Sequence, residues 1–189
     1  YVPHDQQGLI NLMGKEKYIS RLDTFFKERH YWHGNEPSHQ TPYLFNYAGQ
    51  PYKTQAVVRR ILNEEYAAEP GGLSGNDDTG QMSAWAVFTM MGFYPVCPGV
   101  PEYIIGSPVF DEITIHTGQG DPFVIKTQNN GNGNVYIQSA RFNGNEFNQG
   151  YIEHEKIIEG GTLQFQMGAS PNTQWAGNKD VLPYSMSKN

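Results

Sequence analysis

Apolar residues recur along this chain at two periods, and the period changes once. In "GKEKYISRLDTFFKERH", residues 14–30, Ile19, Leu22, Phe25 and Phe26 form one stripe at helical spacing. In "QAVVRRILNEEY", residues 55–66, Val58, Ile61, Leu62 and Tyr66 share a face, and Arg59, Arg60 and Glu64 take the other. "YLFNYAGQ" predicts a short apolar helix closed by Gly49. "QMSAWAVFTMMG", residues 81–92, is apolar on nearly every side, which predicts a buried helix ending at Gly92. Beyond residue 100 the runs shorten and fill with Ile, Val, Tyr and Phe. "YIIGS", "EITIHT", "FVIKT", "NVYIQSA" and "TLQFQM" predict strands. Asn130-Gly131, Asn132-Gly133 and Asn143-Gly144 supply turns between them.

The change of period falls at "YPVCPGVPEY", residues 94–103, whose prolines suit neither a helix interior nor a central strand. The expected fold class is therefore α+β, with a helical part over 1–97 and a β-rich, sandwich-like part over 98–189. Three or four helices make a thin bundle, and a helix apolar all round needs neighbours on every side. These helices are expected to belong to a larger layered array.

Composition narrows the partners. The net charge of −6 comes with no basic run, which argues against nucleic acid. No apolar stretch is long enough to span a bilayer. Cys97 is the single cysteine, so no internal disulfide is expected. Aromatic residues reach 13% of the chain, a share that suits sheets and sugar-binding surfaces.

Candidate chemistry gathers in three loops. "GNDDTGQMSAW", residues 75–85, places Asp77 and Asp78 between Gly75 and Gly80, just before a helix. An aspartate there is a natural helix cap, and the free N–H groups of a helix start favour its ionised form. An ionised carboxylate in a cleft can take a proton from water or bind a hard cation such as Ca²⁺. "YWHGNEPSHQTPY", residues 31–43, crowds aromatic, imidazole, amide and carboxylate groups into one turn, the mixture a sugar site uses. No Cys and no H-E-x-x-H pattern accompanies its histidines to support zinc. "YVPHDQQGL" carries His4 and Asp5 ahead of a helical run that Asp5 can cap.

"VPHD", "GNEPSH", "PYLFNYAGQPYKTQ", "GNDDTGQMSAW", "MGFYPVCPG" and "EYIIGSPVF" follow one another in this order. Together they resemble the C-terminal part of glycoside hydrolase family 92, calcium-dependent exo-acting α-mannosidases that invert the anomeric centre. The resemblance covers nearly the whole chain and is densest from 31 to 110. It implies that residues 1–97 are the last helices of an (α/α)6 barrel catalytic domain. It makes Asp78 the general base, with Asp77 and Asn76 beside it. It assigns Asn35, Glu36 and Asp78 to calcium, and Asn35, Glu36, His39, His4, Asp5 and Asn76 to the substrate.

Mannose-containing glycans, and the N-terminal β-sandwich and upstream barrel helices of the same enzyme, are the implied partners. The implied location is extracellular or periplasmic. The family's general acid lies before "VPHD", so this polypeptide by itself is expected to be incomplete as a catalyst. Gln40 stands where many relatives have a second histidine, which bears on the expected α-1,2 preference. The competing expectations are a non-catalytic carbohydrate-binding or structural module, and a metal-dependent nuclease or phosphatase using Asp77, Asp78 and Glu36. The acidic balance disfavours the last.

Overall fold

The computed structural model describes residues 2–118, 120–131 and 133–187. Its helices are α1 (Gln6–Met13), α2 (Lys15–Lys27), α3 (Pro51–Glu65), α4 (Gln81–Met91) and α5 (His154–Glu159). A 3₁₀ helix, Thr41–Ala48, lies between α2 and α3. Its Pro42 sits in the first turn, and Gly49 ends it with φ +69°, where the Gly49 N–H bonds the carbonyls of Phe45 and Asn46. The predicted stripes do bury. Leu22 and Phe26 of α2, Val58 and Ile61 of α3 and Phe45 of the 3₁₀ helix share one apolar cluster with Trp85 of α4.

One expectation is corrected here. Helix α4 buries Met82, Trp85, Ala86 and Thr89, but Ser83, Ala84 and Val87 are exposed, Val87 at 52%. The helix is apolar all round, yet among the described residues only one side of it meets protein. Its neighbours are α3 and the strand that follows it.

The strands are β1 (Phe93–Tyr94), β2 (Glu102–Ile105), β3 (Glu112–Ile115), β4 (Phe123–Gln128), β5 (Tyr136–Phe142), β6 (Asn145–Glu146), β7 (Tyr151–Glu153) and β8 (Gly161–Gly168). They form a three-stranded antiparallel sheet, β1-β2-β7, and a five-stranded mixed sheet, β3-β4-β8-β5-β6. The β4–β8 pair is parallel, Phe123 opposite Gly161 through Gln128 opposite Gln166. β5 pairs antiparallel with β8, with a register shift between Ile137 and Ser139. Burial alternates along β4 and β8, as period two requires of a sheet with one covered face. Phe93, Ile105 and Ile152 of the small sheet share a cluster with Phe123, Ile137, Leu163 and Phe165 of the large one. Asn143-Gly144 joins β5 to β6 with φ +49° and +83°, the left-handed pair a tight hairpin turn needs. The Asn132-Gly133 turn lies partly outside the described residues, at Asn132.

Buried amides tie the helices to the strands. Asn46 Nδ2 donates to the carbonyls of Ile105 and Gly150, both at 2.9 Å. Gln55 Oε1 accepts the Ile137 N–H at 3.0 Å. These bonds fix the 3₁₀ helix and α3 against the strands.

Candidate functional site

Two loops build the site. The first, Gly34 to His39, follows α2 and turns through a 3₁₀ segment, Glu36–Ser38, closed by Ser38 N–H to Asn35 O at 3.1 Å. The second, Ser74 to Gly80, leads into α4. They meet backbone to backbone. A β-carbon on Gly75 would stand 2.4 Å from the Gly34 carbonyl oxygen, and one on Gly34 would stand 2.8 Å from the Ser74 oxygen. Only glycine allows that approach. It brings the carboxyl groups of Glu36 and Asp78 close enough to shift each other's ionisation.

The second loop reaches α4 by an uncommon backbone path. Asp78, Thr79 and Gly80 lie in succession at φ +47°, +61° and +95°. Left-handed residues other than glycine are strained and survive where their surroundings over-determine them. Here Gly80 N–H and Met82 N–H both reach Asp77 O, at 3.1 and 3.2 Å. Asp77 Oδ1 accepts the Ser83 N–H at 3.0 Å and the Ser83 hydroxyl at 2.8 Å.

Of the two aspartates that could cap the helix, it is Asp77 that does so. Asp77 serves the helix start, because the left-handed turn at 78–80 carries the Asp78 side chain away from α4's free N–H groups and onto Glu36. Nor does a helix start hold Asp78 ionised. Glu36's hydrogen bond, burial, and the charges of Glu36 and Asp77 raise its pKa, while His39 opposes them. Glu36 moves the other way, held low by its own backbone N–H and then by Asp78.

A buried aromatic layer supports the first loop. His33 and His39 stack at 4.5 Å, and Trp85 meets the His33 ring edge-on at 4.3 Å. Hydrogen-bond directions fix both tautomers. His39 Nε2 must donate to the His33 carbonyl at 2.8 Å, so Nδ1 accepts from Gln81 Nε2 at 3.1 Å. Tyr66 OH donates to the Met82 carbonyl at 2.9 Å, so it accepts from His33 Nε2 at 2.6 Å. His33 Nδ1 therefore accepts from Tyr31 OH at 2.7 Å. Both imidazoles are neutral. Burial, and then the repulsion a second imidazolium beside His39 would meet, push His33 down to about 3, and burial lowers His39. Trp85 Nε1 donates to the His39 carbonyl at 2.9 Å.

Of the residues singled out from sequence, Glu36, Asp78 and His39 come together. Asn35 begins the 3₁₀ turn, and Asn76 is exposed on the second loop. Asp5 and His4 lie at the start of α1. Asp5 caps α1 through Gly8 N–H at 3.0 Å and holds the C-terminal tail through Ser185 and through both Ser187 N–H and Ser187 Oγ. His4 O accepts Met186 N–H, and its side chain is exposed. Gln81, Tyr66 and Tyr94 were not anticipated. A glutamine in the first turn of a helix that follows an acidic loop was the available signal for Gln81.

Among the described residues no three His, Cys, Asp or Glu side chains converge as a metal cluster. The donor set still suits a hard cation. Glu36 and Asp78 are neighbouring carboxylates whose mutual repulsion a dication would relieve, and the Asn35 amide is a neutral oxygen on the same turn as Glu36. Calcium takes six to eight oxygens, so water or substrate hydroxyls would complete the shell.

Residues 1–169 match the catalytic domain of glycosyl hydrolase family 92. An uncharacterized secreted glycosidase of Arthroderma benhamiae is 36% identical over 97% of this chain and 24% of its own length. A family GH92 alpha-mannosidase of Bacteroides thetaiotaomicron superposes with a TM-score of 0.93 at 39% identity, over 98% of this chain and 26% of that one. A second structure from that organism, described as a family GH92 inverting mannosidase, gives 0.90 at 38% identity, over 97% and 28%. This chain thus spans about a quarter of the length of each.

Proposed function

Because the chain belongs to glycosyl hydrolase family 92, we propose that it forms the C-terminal part of an inverting, calcium-dependent, exo-acting α-mannosidase. The substrate is a mannose-containing glycan, and the linkage cut is α-1,2. The observation that carries this reading is the close approach of the Gly34 and Gly75 loops, which sets Glu36 beside Asp78. Helices α1 to α4 are the last helices of an (α/α)6 barrel. The exposed apolar residues Leu12 and Val87 support that, since both await a neighbour. The enzyme is secreted: the Arthroderma relative is described so, and no helix among the described residues is long and apolar enough to cross a membrane.

Inverting hydrolysis places an acid at the leaving oxygen and a base at water on the opposite face, with the carboxyls roughly 6.5–9.5 Å apart. Asp78 is the base. Its carboxylate takes a proton from water as the water oxygen attacks the anomeric carbon. The acid, on a part of the enzyme outside this chain, gives its proton to the departing oxygen. Glu36 keeps the Asp78 side chain aimed, and His39, neutral and bonded at both nitrogens, does not compete for the water proton. Glu36, Asp78 and Asn35 would hold calcium, which supplies a grip on sugar hydroxyls and offsets developing charge.

The test is hydrolysis of α-1,2-, α-1,3- and α-1,6-mannobiose by the full-length enzyme, followed by proton NMR. The expected result is fastest release from the α-1,2 substrate, β-mannose as the first product, loss of activity in EGTA and recovery with calcium. First release of α-mannose would overturn inversion. Unchanged rates after thorough chelation would remove the cation.

A further inference from the structure

The loop that carries Asp77 and Asp78 begins at Ser74, next to Leu73, and enters α4, whose second residue is Met82. Tyr66, at the end of α3, holds that loop at both ends. Its extended backbone (φ −131°, ψ 138°) pairs antiparallel with Leu73, and Ala67 N–H bonds the Gly72 carbonyl at 2.9 Å. Its hydroxyl donates to the Met82 carbonyl at 2.9 Å. The same oxygen accepts from His33 Nε2 at 2.6 Å, and His33 directly precedes Gly34, where the first loop begins. One side chain thus reaches the start of the first loop and the finish of the second. Its ring is braced as well. It lies parallel to Trp85, 3° between planes at 6.0 Å, and His33 meets it edge-on at 5.3 Å. The donors run in one direction, from Tyr31 OH to His33, on to Tyr66 and finally to Met82 O. Bonds aligned this way polarise one another, so losing one weakens its neighbours.

The Gly34–Gly75 approach limits how near the two loops can come, but a close backbone contact by itself resists only compression. Keeping the acids in register also requires a bond that resists separation. We propose that Tyr66 is a positioning residue: its hydroxyl, shared between His33 and Met82, keeps the loops of Glu36 and Asp78 from parting. It acts on the reaction through those loops and not by touching substrate. A phenylalanine would fill the same space and keep the stack on Trp85, but it would strand the His33 Nε2–H and the Met82 carbonyl. The inference rests on the mannosidase reading with Asp78 as the base, and adds what holds that base in place.

The experiment compares Tyr66→Phe with Tyr31→Phe in the full-length enzyme. Each removes one hydroxyl bonded to the His33 ring, so each is expected to lower Tm, but only the first cuts the tie to Met82. Tyr66→Phe is expected to lower kcat on α-1,2-mannobiose about tenfold with KM within about twofold, because loops that drift apart misplace the base. Tyr31→Phe is expected to leave both constants within about twofold of native. Hydrogen exchange gives a readout that needs no substrate. The Gly80, Met82 and Ser83 amides all bond Asp77, and they are expected to exchange at least about tenfold faster in Tyr66→Phe and at the native rate in Tyr31→Phe. Unchanged kcat, or unchanged exchange at these amides, in Tyr66→Phe overturns the proposal. Equal losses in both variants overturn it too, because the effect would then belong to the His33 ring. So does a Tyr66→Phe protein that does not fold, since the hydroxyl would be holding the whole structure and not two loops. If the native enzyme cleaves no mannoside, the mannosidase reading fails instead, and exchange alone decides the tie: faster exchange confined to Tyr66→Phe supports it, and native rates overturn it.

Discussion

The carboxyl groups of Glu36 and Asp78 act on each other, although they sit on loops separated by the 3₁₀ helix and the whole of α3. A neighbouring carboxylate disfavours ionisation, and here the effect falls on Asp78, whose pKa rises. With Asp78 as the base, Asp78→Asn is expected to cut turnover of the full-length enzyme by at least ~100-fold, the low end for loss of a general base. KM should move far less. Steady-state kinetics on α-1,2-mannobiose check this, and near-normal turnover would remove Asp78 from the base role.

The same contact predicts a pH effect. Glu36 raises the Asp78 pKa, so the base protonates, and activity falls, at a higher pH than an ordinary aspartate would give. Glu36→Gln removes the neighbouring charge and can donate to Asp78, both of which lower that pKa. The acid limb of kcat/KM should therefore move to lower pH in Glu36→Gln, even where its maximum rate is reduced. A limb that stays in place would show that Glu36 does not set the charge of Asp78.

The Gly34–Gly75 contact is what joins the loops. An added methyl at position 75 meets the Gly34 carbonyl oxygen at 2.4 Å, and backbone cannot swing aside as a side chain can. Gly75→Ala is expected to destabilise the protein by about 1–3 kcal/mol, the usual range for overpacking. It should also lower kcat by tenfold or more, since displacements near 1 Å at reacting groups cost about 100-fold. Thermal melts and kinetics on one preparation read both. Full activity would mean the acid pair does not depend on this approach.

Much of this architecture is legible from periodicity. Leu22, Phe26, Val58 and Ile61 announce their helices, and the alternation at Phe123 to Gln128 announces a strand. The two-residue β1 and β6 are too short to carry a period, and the parallel β4–β8 pairing joins segments whose spacing carries no local signal. The acid pair was approachable from the motifs. Its geometry was not, because three consecutive left-handed residues at 78–80 reverse which aspartate serves the helix. The amide orientation of Gln81 was hidden too, since it follows from the tautomer of His39.

His33 predicts acid sensitivity. It is fully buried, neutral and bonded at both ring nitrogens, with its pKa pushed down to about 3. The unfolded chain binds a proton at histidine near pH 6.5, and the folded one does not until about 3. Between those values the unfolded state holds more protons, so stability falls as pH drops. The expected observation is a Tm that declines from pH 6.5 towards pH 4 and declines less steeply in His33→Gln. At neutral pH, Tyr66→Phe should cost about 1–3 kcal/mol, because it strands the His33 Nε2–H and the Met82 carbonyl. Parallel pH slopes for the native protein and His33→Gln would contradict the assignment.

Asp5 predicts the opposite dependence for a different part of the molecule. Ser187's hydroxyl, Ser187 N–H, Gly8 N–H and Ser185 all favour its ionised form and hold its carboxyl well below the usual range, against a smaller opposing effect of desolvation. A depressed carboxyl stabilises the fold above its unfolded pKa, near 4, and that contribution fades as pH falls below it. Asp5→Ala should therefore lower Tm at pH 7, and the gap from the native protein should narrow between pH 4 and pH 2. The tail is the second readout. Ser185 and Ser187 lose the carboxylate that binds them to the start of α1, so limited proteolysis after residue 180 should quicken in the variant at neutral pH. An unchanged cleavage rate would mean that Leu182, buried at 7% exposure, anchors the tail without Asp5.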